Sequence, residues 1–422
     1  MIEFGRYGRI CAALLIAALA ILLAAQSALA AVTWTPATGV GPTYSTNFGL
    51  GLARTVTASS AFLHSQYTYD GGTRAGVYYR RGNAAGSSWS TAKRLNPATS
   101  NAERGAIAAA GHYVYVAWTT GYHGSPGYDP AAPRRSRVRV NTNHGSSTAW
   151  LPTLAMDAFL RSGRPAVAAS GTYVYVVVTD ADTGAIHLLT NNGVNSPDIG
   201  WLGTQVGTTT RKSAVTGDGF EGQPVVAALG SRVLVAWIAS DTGGIVAKIS
   251  TNRGHTWPDK ATTLTTAQAW DPSAAADTGR FGVAWAQASG IKARLHTSGA
   301  WRSIRTVSIF RTTATYKAGY GTAIAFAGSA RVGVAWSACT AGSCTGGASK
   351  GVDARWRESA NNGGTWNGAV TIASHTYGSS RRVNDFPSVV MTDAPTRFVT
   401  YNTFNATWSS YRVVIEVGRG TP

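Results

Sequence analysis

Seven times along this chain, a run of small apolar residues, a Gly or Asp turn, an alternating segment and an aromatic or apolar end recur in the same order. Four copies end in Val-Ala-Trp, at Trp118, Trp237, Trp285 and Trp336, and three divergent copies end at Tyr67, Val178 and Tyr401. Successive ends lie 51, 60, 59, 48, 51 and 65 residues apart. Within the copies, Tyr113-Val114-Tyr115-Val116-Ala117-Trp118 and Tyr173-Val174-Tyr175-Val176 alternate with period two, as β-strands do. Four short strands with their turns fill this period, and one such unit cannot bury its faces alone. The repeats therefore predict an all-β propeller of four-stranded antiparallel blades over residues 31–422, seven blades by count.

Closure is also written in the repeats. The last unit, 386–420, supplies three strands and ends in Tyr411-Arg412-Val413-Val414-Ile415-Glu416-Val417, while Val32-Thr33-Trp34-Thr35 reads as a strand without a blade. Pairing this N-terminal strand, about 32–40, with the last blade hides two sheet edges.

Residues 1–30 read as a secretory signal: Arg6 and Arg9, an apolar run from Ile10 to Ala25, and the small-residue site Ala28-Leu29-Ala30, with cleavage expected after Ala30. The run is short for a membrane span, which needs about 20 apolar residues. No span is expected in the mature chain. Mean hydropathy of −0.04 excludes a multi-spanning protein, and 44% hydrophobic residues exclude a disordered one. With Cys11 lost in the signal, Cys339 and Cys344 remain, flanking a Gly-containing turn; in an oxidising compartment they are expected to form a disulfide. No metal-ligand spacing and no cofactor motif occurs, so neither a metal nor a cofactor is expected.

Charge narrows the partners. Removing the signal leaves 35 basic and 18 acidic residues, a net +17, and of the chain's 37 basic residues 30 are Arg. That bias fits recognition of planar anions, and fits equally a GC-rich genome. The one dense basic cluster, Arg134, Arg135, Arg137 and Arg139, alternates along a strand, so it reads as a solvated outer face. Without a nucleic-acid-binding fold and with export expected, nucleic acid is not the predicted partner.

Each unit continues into a third strand, a tight turn and a Trp. Ser250-Thr251-Asn252-Arg253-Gly254-His255-Thr256-Trp257 and Ser359-Ala360-Asn361-Asn362-Gly363-Gly364-Thr365-Trp366 are the full copies. Weaker ones are Asn141–Gly145 with Trp150, Leu189–Gly193 with Trp201, Gly82–Trp89, and a shortened one ending at Trp301. The pattern resembles the Asp-box, or bacterial neuraminidase repeat, of sialidase-like propellers, with Asn at the acidic position in four copies. The physical reading is structural: Asn252 and Asn361 accept backbone N–H bonds, Gly254 and Gly363 take positive φ, and Trp257 and Trp366 bury their rings beneath the turn.

The resemblance implies six blades, which stands as the alternative to seven. It also implies an arginine triad for a sialic-acid carboxylate, a Tyr nucleophile, its Glu partner and an Asp acid/base. Arg-Ile-Pro, the family's first arginine motif, is absent; the nearest text is Gly163-Arg164-Pro165. Of five Glu, Glu3 leaves with the signal, Glu358 adjoins an Asp-box and Glu416 lies on the final strand. Only Glu103 and Glu221 remain to activate a Tyr, whose unperturbed pKa is about 10. A two-carboxylate hydrolysis would draw on Glu103, Glu221, Asp271 and Asp385.

Residues just before each inner strand should crowd one mouth of the channel. Arg54, Arg104 and Arg164 are the candidate ligand cations there, with Tyr122 and Tyr320 on the loops above. Rings stack on sugar faces and guanidinium forks clamp anionic groups. The expected function is therefore a secreted, non-catalytic module binding extracellular glycan or acidic polysaccharide. A sialidase-type glycoside hydrolase and a protein-binding scaffold are the alternatives.

Overall fold

The computed structural model describes residues 33–34, 38–39, 56–59, 61–69, 76–120, 135–156, 162–191, 201–210, 224–240, 243–309, 321–339, 352–373, 382–392, 396–405 and 410–419. They form a β-propeller of antiparallel blades. By hydrogen bonding there are six sheets, five of them one blade each and one of nine strands. The nine-stranded sheet holds two blades, 322–373 and 382–419, joined by the single parallel pair Val352↔Val383. The chain thus builds seven blades, although its hydrogen-bonded sheets number six.

Seven inner strands surround the channel: Val56–Ala58, Ala102–Ala110, Ala166–Ser170, Val225–Leu229, Ala269–Asp277, Thr322–Ala327 and Arg382–Met391. Each packs against the next and the last against the first, so the ring is closed. Seven apolar clusters fill the seams, one between each neighbouring pair of blades. The repeated aromatic ends supply their largest members: Trp118, Trp285 and Trp336 are essentially inaccessible to solvent. Burying such a ring contributes roughly 2–3 kcal/mol, which explains why the repeat is marked by its Trp.

The seventh blade takes its outer strand from the N-terminus. Thr33–Trp34 pairs with the final strand, Ser410–Arg419, in the register Thr33↔Arg419 and Trp34↔Gly418, and Thr38–Gly39 pairs with the same strand. Trp34 packs edge-on against Trp356 of the sixth blade, ring centres 6.3 Å apart.

The Ser250–Trp257 turn satisfies its own backbone. Ser250 Oγ accepts from the Gly254 and Asn252 amides (2.9 and 3.3 Å), and Asn252 Oδ1 accepts from the Thr256 amide at 3.0 Å. Ser359, Asn361, Gly363 and Thr365 repeat the same bonds in the sixth blade. In the second blade Asn141 replaces the serine, accepting from the Gly145 amide at 2.7 Å. Trp257 and Trp366 are half-buried; each packs at the seam with the preceding blade, with its ring beside the glycine of its own turn.

Gly254 has φ of 82°, and a Cβ there would lie 2.4 Å from Leu188 Cδ2 of the third blade. Gly171, at a first–second strand hairpin, has φ of 60° and open space around it. Gly254→Ala is therefore expected to lower stability by about 2–3 kcal/mol, strain plus overpacking, and Gly171→Ala by about 1 kcal/mol, strain alone. Urea unfolding of the two variants checks the difference; equal losses would show that Gly254 is kept for its backbone only.

Candidate functional site

Where the inner strands begin, the backbone is bent by bulges. Pairing skips from Glu103 to Ala106, from Trp270 to Ser273 and from Asp385 to Ser388. The inner strands thus run further than the sequence suggests, and Arg104-Gly105, Asp271-Pro272 and Phe386-Pro387 occupy the bulges. Bulges at a barrel or propeller rim re-aim side chains. Asp271 has φ of 49°, a left-handed conformation unusual outside Gly and Asn.

Buried polar side chains hold this backbone across the seams. Gln66 of the first blade donates to the Gly105 carbonyl of the second at 2.8 Å. Thr119 of the second donates to the Gly163 carbonyl, beside Arg164 at the entry to the third, at 3.2 Å. Thr322 of the sixth donates to the Asp271 carbonyl of the fifth at 2.6 Å. Each blade repeats the same strand order, so Glu103, Arg104, Arg164, Asp271 and Asp385 stand at one end of the ring, on the second, third, fifth and seventh blades. Arg164 and Asp271 are half-buried. For Glu103, Arg104 and Asp385 the backbone position is described. Arg54, Tyr122, Glu221, Tyr320 and Cys344 lie outside the described residues, as does the expected signal segment; Cys339 ends the strand Arg331–Cys339. The channel below this end, about 560 Å³, is lined by small residues including Ala108, Ala168, Ala227, Ala275 and Ala325.

Much of the arginine excess serves the fold. Arg139 on the third strand of the second blade bonds the Leu151 carbonyl at 2.7 Å and, across the seam, the Leu95 carbonyl at 3.0 Å. Arg294 bonds Arg302 O at 2.7 Å and Thr263 O at 2.9 Å of the preceding blade, and Arg357 bonds Asn367 O and Val307 O in the same way. A guanidinium reaches two carbonyls at once because its donors are forked. Desolvation lowers the pKa values of Arg139 and Arg357. The expectation that Arg139 lies on a solvated face is thereby corrected: it is a half-buried bracket between blades.

Glu358 is also committed. Both its oxygens accept from Arg397 of the seventh blade, from Nε and Nη2 at 2.8 Å each, and both side chains are almost fully buried.

A further polar array had no signal in the sequence. Ser59 Oγ lies 2.8 Å from His64 Nε2, and His64 Nδ1 lies 2.7 Å from the Tyr79 hydroxyl. The order matches nucleophile, base and orienting group. Burial, then the charges of His144 and Arg81, press the His64 pKa down to about 3. The imidazole is therefore neutral at physiological pH and a poor base, so the array is a buried hydrogen-bonded strut. Among the described residues no group of three His, Cys, Asp or Glu side chains is placed to hold a metal ion, and no helix is long and apolar enough to cross a membrane.

No protein-family model matches the chain, and no curated protein matches its sequence. Solved structures of similar fold include Trypanosoma rangeli sialidase in complex with the inhibitor DANA, at TM-score 0.51 and 8% identity over 86% of this chain and 54% of that one. The same sialidase alone gives 0.51 and 9% over 92% and 60%, and its complex with sialic acid gives 0.51 and 8% over 90% and 59%. The chain thus spans 54–60% of the length of these sialidase structures. The seven-bladed ring built from these residues has a sialidase-like propeller fold.

Proposed function

We propose that the chain is an exported, non-catalytic propeller that binds extracellular glycan or acidic polysaccharide at the end of the channel where the inner strands begin. The observation that carries this reading is the placement of Arg104 and Arg164 at the entries of adjacent inner strands, on backbone pinned by Gln66 and Thr119. Rigid placement lowers the entropic cost of clamping a carboxylate or sulfate. Sialidase structures of similar fold carry DANA or sialic acid, which supports a saccharide as the ligand class. Export accords with the apolar segment from Ile10 to Ala25 and the Ala28-Leu29-Ala30 site.

A sialidase-type hydrolase is the second reading, favoured by Asp271 and Asp385 standing at the same end of the ring as Glu103. Against it, Glu358 is occupied by Arg397, leaving Glu103 and Glu221 as the only candidates for activating a Tyr. A protein-binding scaffold is the third.

Two measurements on purified residues 31–422 separate the readings. Binding to acidic glycans on an array is expected, weakened by salt and reduced roughly tenfold or more in Arg104→Ala/Arg164→Ala. No turnover of a fluorogenic sialoside is expected. Turnover abolished by Glu103→Gln or Glu221→Gln would establish the hydrolase, and a blank array with no turnover would leave the scaffold.

A further inference from the structure

At the opposite end of the channel, a cleft of about 630 Å³ opens between the fifth and sixth blades. One of its walls is a shortened hairpin. Register sets His296 opposite Phe281 in the fifth blade, as Ser250 stands opposite Val233 in the fourth. From these positions to the next Trp the chain has six residues, His296 to Trp301, where the fourth blade has eight, Ser250 to Trp257. Ser298 and Gly299 make this turn with positive φ of 52° and 81°, the tight type that connects strands with two residues. The sixth blade keeps its full turn, and Asn361, Asn362 and Gly364 form the facing wall.

Among the described residues, the lining of the cleft has three arginines, Arg280, Arg302 and Arg305, and no carboxylate. Arg280 forms the floor. It is 5% exposed and stacked 4.6 Å over Phe326, and it donates to Asn362 Oδ1 and the Gly328 carbonyl, each at 2.5 Å. Its Nε is buried and without a hydrogen-bond partner. Asp277, 3.5 Å from Arg280 Nη2 and facing the channel, offsets that one charge. Arg302 and Arg305 are exposed at the rim, and neither has an acidic partner among the described residues. Thr297 Oγ1 accepts from Arg302 Nε at 2.6 Å, which orients the fork. Ser298, Ser303 and Ser329 add hydroxyls to the lining.

Two unopposed guanidinium groups beside hydroxyls and amides suit a ligand that carries an oxyanion and several hydroxyl groups. We propose that this cleft is a second binding site, for acidic saccharides, in which Arg302 and Arg305 clamp the carboxylate or sulfate while Ser298, Ser303 and Ser329 bond the sugar hydroxyls. It goes beyond the function proposed above, because it lies at the other end of the channel and uses none of the same residues. Its volume falls within the range of small-ligand sites, about 300–1,000 Å³.

Calorimetry on residues 31–422 tests it with three probes: a heparin tetrasaccharide, which carries sulfates; tetragalacturonate, which carries carboxylates only; and duplex DNA. Wild type is expected to bind one or both saccharides, with Kd rising at least about tenfold between about 50 and 200 mM salt. Arg302→Ala/Arg305→Ala should weaken roughly tenfold or more a binding event that Arg104→Ala/Arg164→Ala leaves in place, with an unchanged melting temperature, and the exposed Lys260→Ala should not. Should the alanine pair fail to fold, Arg302→Lys/Arg305→Lys keeps the charge, loses the fork and should still bind more weakly. Loss for both saccharides assigns the site to oxyanions generally, and loss for heparin alone assigns it to sulfate. Unchanged binding in both paired variants, no saccharide binding by wild type, or preference for DNA would overturn the proposal. If Arg104→Ala/Arg164→Ala abolishes binding while Arg302→Ala/Arg305→Ala does not, the cleft falls and the function proposed above stands; the reverse leaves the cleft alone.

Discussion

Arg397→Ala is expected to destabilise the propeller by about 3–5 kcal/mol, enough to bring many domains near unfolding at 37 °C. The reason is what the substitution leaves behind. Glu358 is 2% exposed, and both its oxygens take their hydrogen bonds from the one guanidinium. Arg331 stands 3.9 Å away and one-third exposed, too distant and too wet to replace it. A buried carboxylate stripped of its fork must either protonate or remain unsolvated, and both are costly. Glu358→Gln should be destabilising by the same logic, because it strands the guanidinium. Replacing both, Glu358→Leu with Arg397→Met, should recover most of the loss, since an apolar pair of similar volume often equals a buried ion pair in stability. Urea unfolding of the two single variants and the double variant measures the coupling. A double variant no more stable than the singles would mean that the pair is needed for more than its mutual neutralisation.

Acid is expected to weaken the seam between the first and second blades. His64 is fully buried between Ser59 and Tyr79, and its pKa falls from 6.5 in the unfolded chain to about 3 in the fold. Between these values the unfolded state binds a proton that the folded state does not, so stability falls as pH falls. The contribution is complete above about pH 6.5 and declines by about 1.4 kcal/mol per pH unit toward pH 3. His64→Gln removes the titration. That variant should be less stable at pH 7, having lost bonds to a well-packed strut, yet its stability should decline less steeply between pH 6.5 and 4. Melting curves at pH 7, 5.5 and 4.5 read the slope directly. Parallel declines in wild type and variant would mean that other groups carry the acid sensitivity.

The number of blades was legible because each blade writes its own local record. An alternating second strand ending in Val-Ala-Trp and a turn such as Ser250–Trp257 lie within one unit, where periodicity and turn chemistry act over a few residues. The resemblance pulled toward six, and hydrogen-bonded sheets number six only because Val352 and Val383 bridge two blades into one. The arginine brackets were illegible for the opposite reason. Arg139 meets Leu95 O across 44 residues, and Arg357 meets Val307 O across 50. Within its strand Arg139 looks like any outward-facing cation, and only the neighbouring blade reveals its acceptors. The same distance hid the pair of Glu358 and Arg397, 39 residues apart. At the mouth, counting back from the inner strands found Arg104 and Arg164, but bulges carry the strands past the point where sequence alternation stops.

The cleft beside Arg302 borders the one described third–fourth strand turn that is cut to two residues. In the fourth blade the full turn packs into the seam with the third, Gly254 against Leu188. In the fifth blade the turn is two residues shorter, and it borders a cleft that cations and hydroxyls line.

Seven blades close around a channel, and the arginines proposed to meet ligands stand toward its two ends. A crystal structure of residues 31–422 grown with an acidic oligosaccharide tests this arrangement most directly. The expected structure has seven inner strands, Thr33–Trp34 as an outer strand of the last blade, and an intact saccharide held by arginines at an end of the ring. Six inner strands, an open stack of sheets, or a saccharide seated away from both ends would contradict it.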